Sequence, residues 1–177
     1  MTTEPQRARG RADLLTLLAV AAVILVADQL TKLAIISSIE YGEQVPVIGD
    51  LFILWHVRNT GAAFSLFQGG QVLFLVVTIV ALGMVAYFHR SFLGRSRWFQ
   101  VILGVILGGS LGNFIDRLRF GYVTDFLSFG FGETRFPTFN VADSAVVCGI
   151  GLLVIILTFF SPEADAAAGA SHTEART

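Results

Sequence analysis

Apolar residues run almost unbroken through four stretches of the chain, roughly 14–36, 72–89, 98–117 and 141–160. Each is close to the ~20 residues a helix needs to cross the hydrocarbon layer of a bilayer. Between the first and second stretches the pattern changes. Residues 43–57 mix Val, Ile, Leu, Phe and Trp with polar positions, and Pro46, Gly49 and Gly61 punctuate the region. β-Branched and aromatic residues interrupted by turn formers read as short strands. The expected fold is therefore all-α integral membrane: four transmembrane helices, with a small β-structured segment, about 40–70, after the first. Polar tails at 1–13 and 161–177 flank this 14–160 unit, and the second has too little apolar content to order itself.

Composition supports the membrane reading. Apolar residues make up 54% of the chain and charged ones only 14%, unlike a soluble domain of this size. A net charge of −1 offers no basic surface to a nucleic acid. The single cysteine, Cys148, excludes an internal disulfide, so helix packing must supply the stability. The first stretch has the basic start of a signal peptide, but its apolar run continues past Asp28 and Lys32 to Ile36 with no clear cleavage site, which favours a retained helix. Arg7, Arg9 and Arg11 precede the first span, and Arg90, Arg95 and Arg97 fill the loop between the second and third. By the positive-inside rule both termini and that loop face the cytoplasm, and 37–71 and 118–140 face the other side. Arg117, Arg119 and Arg135 blur the assignment of the second outer segment.

Ionisable groups in a bilayer usually face the bundle interior or a wet cavity, and each needs a reason to be there. Asp28 and Lys32 are four apart and can pair on one helix face, either as a structural bridge or as part of a site. Gly104, Gly108 and Gly112 form a smooth stripe for close helix packing. Asn113, Asp116 and Arg117 follow that stripe, either anchoring a helix end or forming a polar cluster that orients reacting groups. Asn59 and Gly61 lie in a turn whose small residues would let a peptide backbone lie close. Asn140 and Asp143 have the spacing of a capping box, with Asp143 in the place usually held by Glu or Gln. Asp125, between Val123 and Phe126, has no structural reason without a partner. Cys148 is mid-helix, His56 has no evident partner, and no cluster has metal-ligand spacing.

The motifs "DQLTK" (28–32), "RNTGAAFS" (58–65), "GGSLGNFIDR" (108–117), "VTDF" (123–126) and "FNVADS" (139–144) occur in this order. Together they resemble the bacterial lipoprotein signal peptidases, signal peptidase II, over about residues 14–160. Ser110 and Thr124 depart from the alanine and valine frequent in that family. The resemblance implies an aspartic endopeptidase of the bacterial inner membrane, with its active site near the outer face. It would remove signal peptides from diacylglyceryl-modified prolipoproteins, cutting before the lipidated cysteine. It would be inhibited by globomycin, work among membrane lipids, and need no metal or cofactor. Carried onto this chain, the catalytic pair is Asp125 and Asp143. Asp28, Asn59, Asn113, Asp116, Arg117, Asn140 and Ala142 match positions that line or support the site. Lys32, beside Asp28, and Gly61, in the Asn59 turn, join them as candidates.

Two carboxylates close together share one proton and titrate as a unit. The free N–H groups and positive dipole end of a helix start favour an anion at Asp143, worth about 0.3–1 kcal/mol, and up to about 2 when partly buried. Asp125, among apolar neighbours, is expected to hold the shared proton. A rival of another class is a small proton or cation transporter or channel subunit, which would spread its acids through the membrane depth. This chain gathers them toward the outer ends of spans one, three and four.

Overall fold

A computed structural model of the protein describes residues 4–61, 71–91 and 97–159. Four helices, α1 (Glu4–Ser38), α2 (Gln71–Ser91), α3 (Arg97–Phe120) and α4 (Val141–Phe159), are joined by strands β1 (Gln44–Ile48), β2 (Phe52–Asn59), β3 (Val123–Phe131) and β4 (Thr134–Arg135). Among the described residues, three helical stretches are long and apolar enough to cross a membrane: Arg9–Ser38, Arg97–Phe120 and Val141–Phe159. Helix α1 begins ten residues ahead of its apolar stretch, so the basic N-terminal segment is helical from Glu4 onward. The expected C-terminal tail and residues 62–70 of the outer segment lie outside the described residues.

Helix α3 is the centre of the bundle and packs against α1, α4 and α2. The reason is its small-residue faces. A Cβ added at Gly104 or Gly108 would stand 2.6 Å from the carbonyl oxygens of Leu17 and Ala21 on α1. One added at Gly109 would stand 2.6 Å from the Ala142 carbonyl oxygen on α4. Glycine lets the backbones touch, and dispersion between closely packed helices replaces the hydrophobic drive that lipid does not supply. Around this core, Leu15, Leu18, Val23, Leu30 and Leu33 on α1, and Val147, Ile150, Val154 and Phe159 on α4, are exposed. Such apolar flanks suit contact with acyl chains.

Two apolar clusters bracket a polar layer. One gathers Leu17, Val85, Phe99, Ile102, Leu103 and Ile106. The other joins Ile35 and Ile39 at the end of α1 to Phe126 of β3, with Val45, Leu54 and Val141 packed on it. Asp28, Lys32, Asn113 and Asp116 lie between these clusters in chain position and are all buried.

The strands form one antiparallel sheet in the order β1-β2-β3-β4. The expected strands at 43–57 are present, but the sheet is not confined to the segment after α1. It also recruits β3 and β4 from between α3 and α4. Pairing of β2 with β3 sets Val57 opposite Asp125 and Asn59 opposite Val123, after a register shift between Leu54 and Val57. Such an irregularity re-aims side chains locally. Arg135 fastens β4, donating to Ser128 Oγ (2.9 Å) and pairing with Asp50 (3.1 Å).

The Gly108→Val variant should separate α1 from α3, since its side chain has nowhere to go but into the Ala21 carbonyl. A loss of about 1–3 kcal/mol is expected from overpacking. Thermal unfolding in detergent checks it: an unchanged Tm would show that the interface is loose.

Candidate active site

The N-terminus of α4 organises the site. Asn140 is its cap: the Asp143 N–H donates to Asn140 Oδ1 (2.9 Å), and the Asn140 N–H donates back to Asp143 Oδ2 (3.2 Å). The capping box suggested by the sequence is present, with Asp in the Glu position. Asn140 is brought beside β3 because Phe139 pairs with Leu127, its N–H and carbonyl meeting the Leu127 carbonyl and N–H at 3.0 and 2.8 Å. The Asn140 side chain can then donate to Asp125 Oδ1 (2.7 Å), and more weakly to Asn113 Oδ1 (3.1 Å) and the Thr124 carbonyl (3.3 Å).

Asp125 is 1% exposed. Its second oxygen accepts from Asn59 Nδ2 (2.9 Å), while Asn59 Oδ1 accepts the Gly61 N–H (2.9 Å) in a local turn. Asp143 Oδ1 accepts from Asn113 Nδ2 (2.7 Å). Each carboxylate thus receives two hydrogen bonds, and one residue, Asn140, contacts both. Burial, followed by the neighbouring Asp143 charge, pushes Asp125 up to about 7 despite the donors of Asn59 and Asn140. The sequence supplied the apolar neighbours of Asp125 but not its two amide partners.

The amides have no choice of orientation. The oxygen of Asn140 is held by the Asp143 N–H, that of Asn59 by the Gly61 N–H, and that of Asn113 by the Lys32 ammonium (3.0 Å). None of those donors can become an acceptor. All three amides therefore turn N–H groups toward the carboxylates.

Behind this layer lies an ion cluster. Lys32 Nζ stands 2.9 Å from Asp28 Oδ2 and 3.0 Å from Asp116 Oδ2. Asp28 Oδ1 accepts the Ala142 N–H (2.9 Å), satisfying a free donor in the first turn of α4 from a different helix. Asp116 Oδ1 accepts from Gln29 Nε2 (3.0 Å), and its Oδ2 accepts the Thr124 N–H (3.2 Å). The Asp28–Lys32 pair was legible from spacing. The bridge to Asp116, and the place of Gln29, were not. Gly112 proves to be more than packing: a Cβ there would collide with the Asp28 carboxylate.

Asp125 and Asp143 open on one cavity of about 520 Å³. Arg117, Asn59 and Gly61 line it with them, and Phe136, Phe139, Val147 and Cys148 add apolar lining. Arg117 Nη1 donates to the Asn113 carbonyl one turn back (3.3 Å). Cys148, mid-helix, also lines the cavity: Val147 lies one turn after Asp143 and Cys148 one turn after Ser144, and all four border it. His56 is buried and structural, with Nδ1 2.9 Å from the Ile39 carbonyl oxygen.

The architecture is that of a polytopic membrane protein built around an acid pair at the head of a spanning helix. The profile of one family, described as "Signal peptidase (SPase) II", matches residues 20–160. A lipoprotein signal peptidase of Shouchella clausii is 43% identical over 136 residues, covering 77% of this chain and 88% of that protein. One of Halothermothrix orenii is 40% identical over 138 residues, covering 78% and 92%. A solved structure titled "Bacterial membrane enzyme structure by the in meso method at 2.3 A resolution" superposes with a TM-score of 0.72 at 34% identity, covering 81% of this chain and 87% of that one. The chain belongs to the signal peptidase II family, whose members are peptidases that remove signal peptides from prolipoproteins. That membership does not favour the transporter reading.

Thr124 Oγ1 is buried and has no hydrogen-bond partner. An orphaned buried hydroxyl costs about 1–3 kcal/mol, and its backbone groups, not its side chain, serve Asp116 and Asn140. The Thr124→Val variant should therefore be more stable by about 1 kcal/mol with cleavage unchanged. A lower Tm would mean that the hydroxyl is in fact satisfied.

Proposed function

We propose that Asp125 and Asp143 are the catalytic carboxylates of this peptidase. The observation that carries this is their shared opening on one cavity, each held by two donors that cannot take up or release a proton for them. In this reading the pair holds one proton. Asp143, in the first turn of α4, is the anion and removes a proton from a water as it attacks the scissile carbonyl carbon. Asp125 gives its proton to the carbonyl oxygen, forming a tetrahedral diol. As the C–N bond breaks, Asp143 passes its proton to the leaving amine, and a diol hydroxyl returns one to Asp125. Arg117 and the Asn59 turn flank the bound peptide.

The substrate in this proposal is a diacylglyceryl-modified prolipoprotein, cut before the lipidated cysteine. The apolar lining supports it, since a cavity bordered by Phe139 and by Val147 of α4 suits a substrate tethered in lipid. Helix α2 would be the fourth span. The enzyme would sit in the bacterial inner membrane with both termini cytoplasmic and the acid pair near the outer face, as the arginine distribution implies.

Asp125→Asn and Asp143→Asn, made in the full chain, should each reduce cleavage of a lipidated prolipoprotein peptide by about 10²–10⁴-fold or more, with folding retained. The pH dependence has a definite sign. Because Asp125 is raised to about 7, the pair keeps its proton below that value, and kcat/KM should fall as pH rises through it. Full activity in either asparagine variant, or a rate that keeps rising above pH ~8, would remove the dyad.

Arg117 tests the cavity wall separately. Arg117→Ala should weaken both cleavage and inhibition by globomycin while the protein inserts and folds normally. Wild-type values for both would leave Arg117 as a helix anchor only.

A further inference from the structure

Lys32 does not reach the cavity. It is 3% exposed, and its contacts face Asp28 and Asp116. Its third contact points a different way, to Asn113 Oδ1 at 3.0 Å. Asn113 links Lys32 to the acid pair: its Nδ2 donates to Asp143 Oδ1 at 2.7 Å. We propose that Lys32 is a positioning residue for the acid pair, acting through the Asn113 amide to keep Asp143 the charged partner. The proposal rests on Asp125 and Asp143 being the catalytic pair.

An asparagine amide can present either its oxygen or its NH₂ group to a carboxyl group. Presented with NH₂, a carboxyl is favoured as the anion. Presented with oxygen, it is favoured as the acid, because only a protonated carboxyl can donate. A neutral neighbour holds that choice more weakly: without Lys32 the donor left to Asn113 Oδ1 is Asn140 Nδ2, at 3.1 Å and shared with Asp125 at 2.7 Å. An ammonium closes it: turning the Asn113 NH₂ toward Lys32 would set donor against donor in a buried site. The charge also polarises the amide and strengthens the bond to Asp143. The groups facing Asp143 are Asn113, Asn140 and, across the cavity, Asp125 and Arg117; those facing Lys32 are Asp28, Asp116 and Asn113.

Removing the lysine charge alone leaves two buried acids unpaired. The double variant Lys32→Met/Asp116→Asn avoids this, since the cluster of one cation and two anions carries net −1 and the variant retains Asp28 alone, also −1. The Asn113→Leu variant cuts the relay and leaves the ion cluster intact. Both are made in the full-length enzyme, and kcat and KM are measured against pH beside Asp125→Asn. A lipidated prolipoprotein peptide is the substrate.

With the relay lost, Asp143 should take up a proton more readily. The acid limb of kcat/KM should then move upward by about one pH unit in both variants. The loss should fall on kcat, about tenfold or more near the former optimum, with KM little changed. Because both changes break one path, combining them should shift the limb no further than either alone. A structural role would lower Tm and rate without moving the limb, and a limb unmoved in Asn113→Leu overturns the proposal. A limb that moves in Asn113→Leu but not in the folded double variant assigns the effect to the direct Asn113–Asp143 bond and overturns the role of Lys32; if the double variant does not fold, Lys32→Gln takes its place. Undiminished cleavage in Asp125→Asn would sink the dyad itself. Its loss together with unmoved limbs in the relay variants would sink only the role of Lys32.

Discussion

Lys32 stands between two carboxylates, 2.9 Å from Asp28 and 3.0 Å from Asp116, and the site depends on that arrangement. Each buried ion loses hydration worth several kcal/mol, and attraction repays the loss only when further hydrogen bonds satisfy the remaining valences. Here they do. Asp28 also accepts from Gln29 and Ala142, Asp116 from Gln29 and Thr124, and Lys32 donates to Asn113. The partners come from α1, α3, α4 and the start of β3. A single cluster therefore fixes the head of α4, and with it Asp143, against the two helices that carry the ions.

The cluster needs space that only a glycine provides. Gly112 sits where a side chain would strike the Asp28 carboxylate, one step along the same stripe that seats α3 on α1 through Gly104 and Gly108. Close backbone packing and charge burial are thus one design. The glycines bring α1 near enough for Asp28 and Lys32 to reach α3, and the ion cluster holds the helices at that distance. Apolar clusters lie on either side of the layer and its ions are buried, which makes its pairing compulsory: polar groups without partners there would be expensive.

What the sequence made legible was local. Apolar stretches placed the helices, spacing paired Asp28 with Lys32, and Asn140 with Asp143 announced a capping box. What it hid was set by pairing over distance. Asp125 meets Asn59, 66 positions away, only because β2 and β3 adopt one register with an irregularity between Leu54 and Val57. Asp116 meets Lys32 only because a glycine stripe chooses which faces of α1 and α3 oppose. The sheet was expected from a single segment. Its β3 half follows from edge pairing, since β2 alone with β1 would leave its backbone donors open on one side. Cys148 on the cavity wall needed the direction of α4 as well as its existence.

The capping box and the proposed base are often rival explanations for an acid at this position, yet here they require each other. As a cap partner, Asp143 accepts the Asn140 N–H and so holds its carboxylate at the helix start, where the dipole favours the anion. As the cap itself, Asn140 turns its oxygen to the Asp143 N–H and is left with an NH₂ group that reaches Asp125. The cap residue of α4 therefore binds both carboxylates. If helix initiation and acid pairing were assigned to separate residues, either could drift without the other. Merging them ties the spacing of the two acids to the folding of the helix.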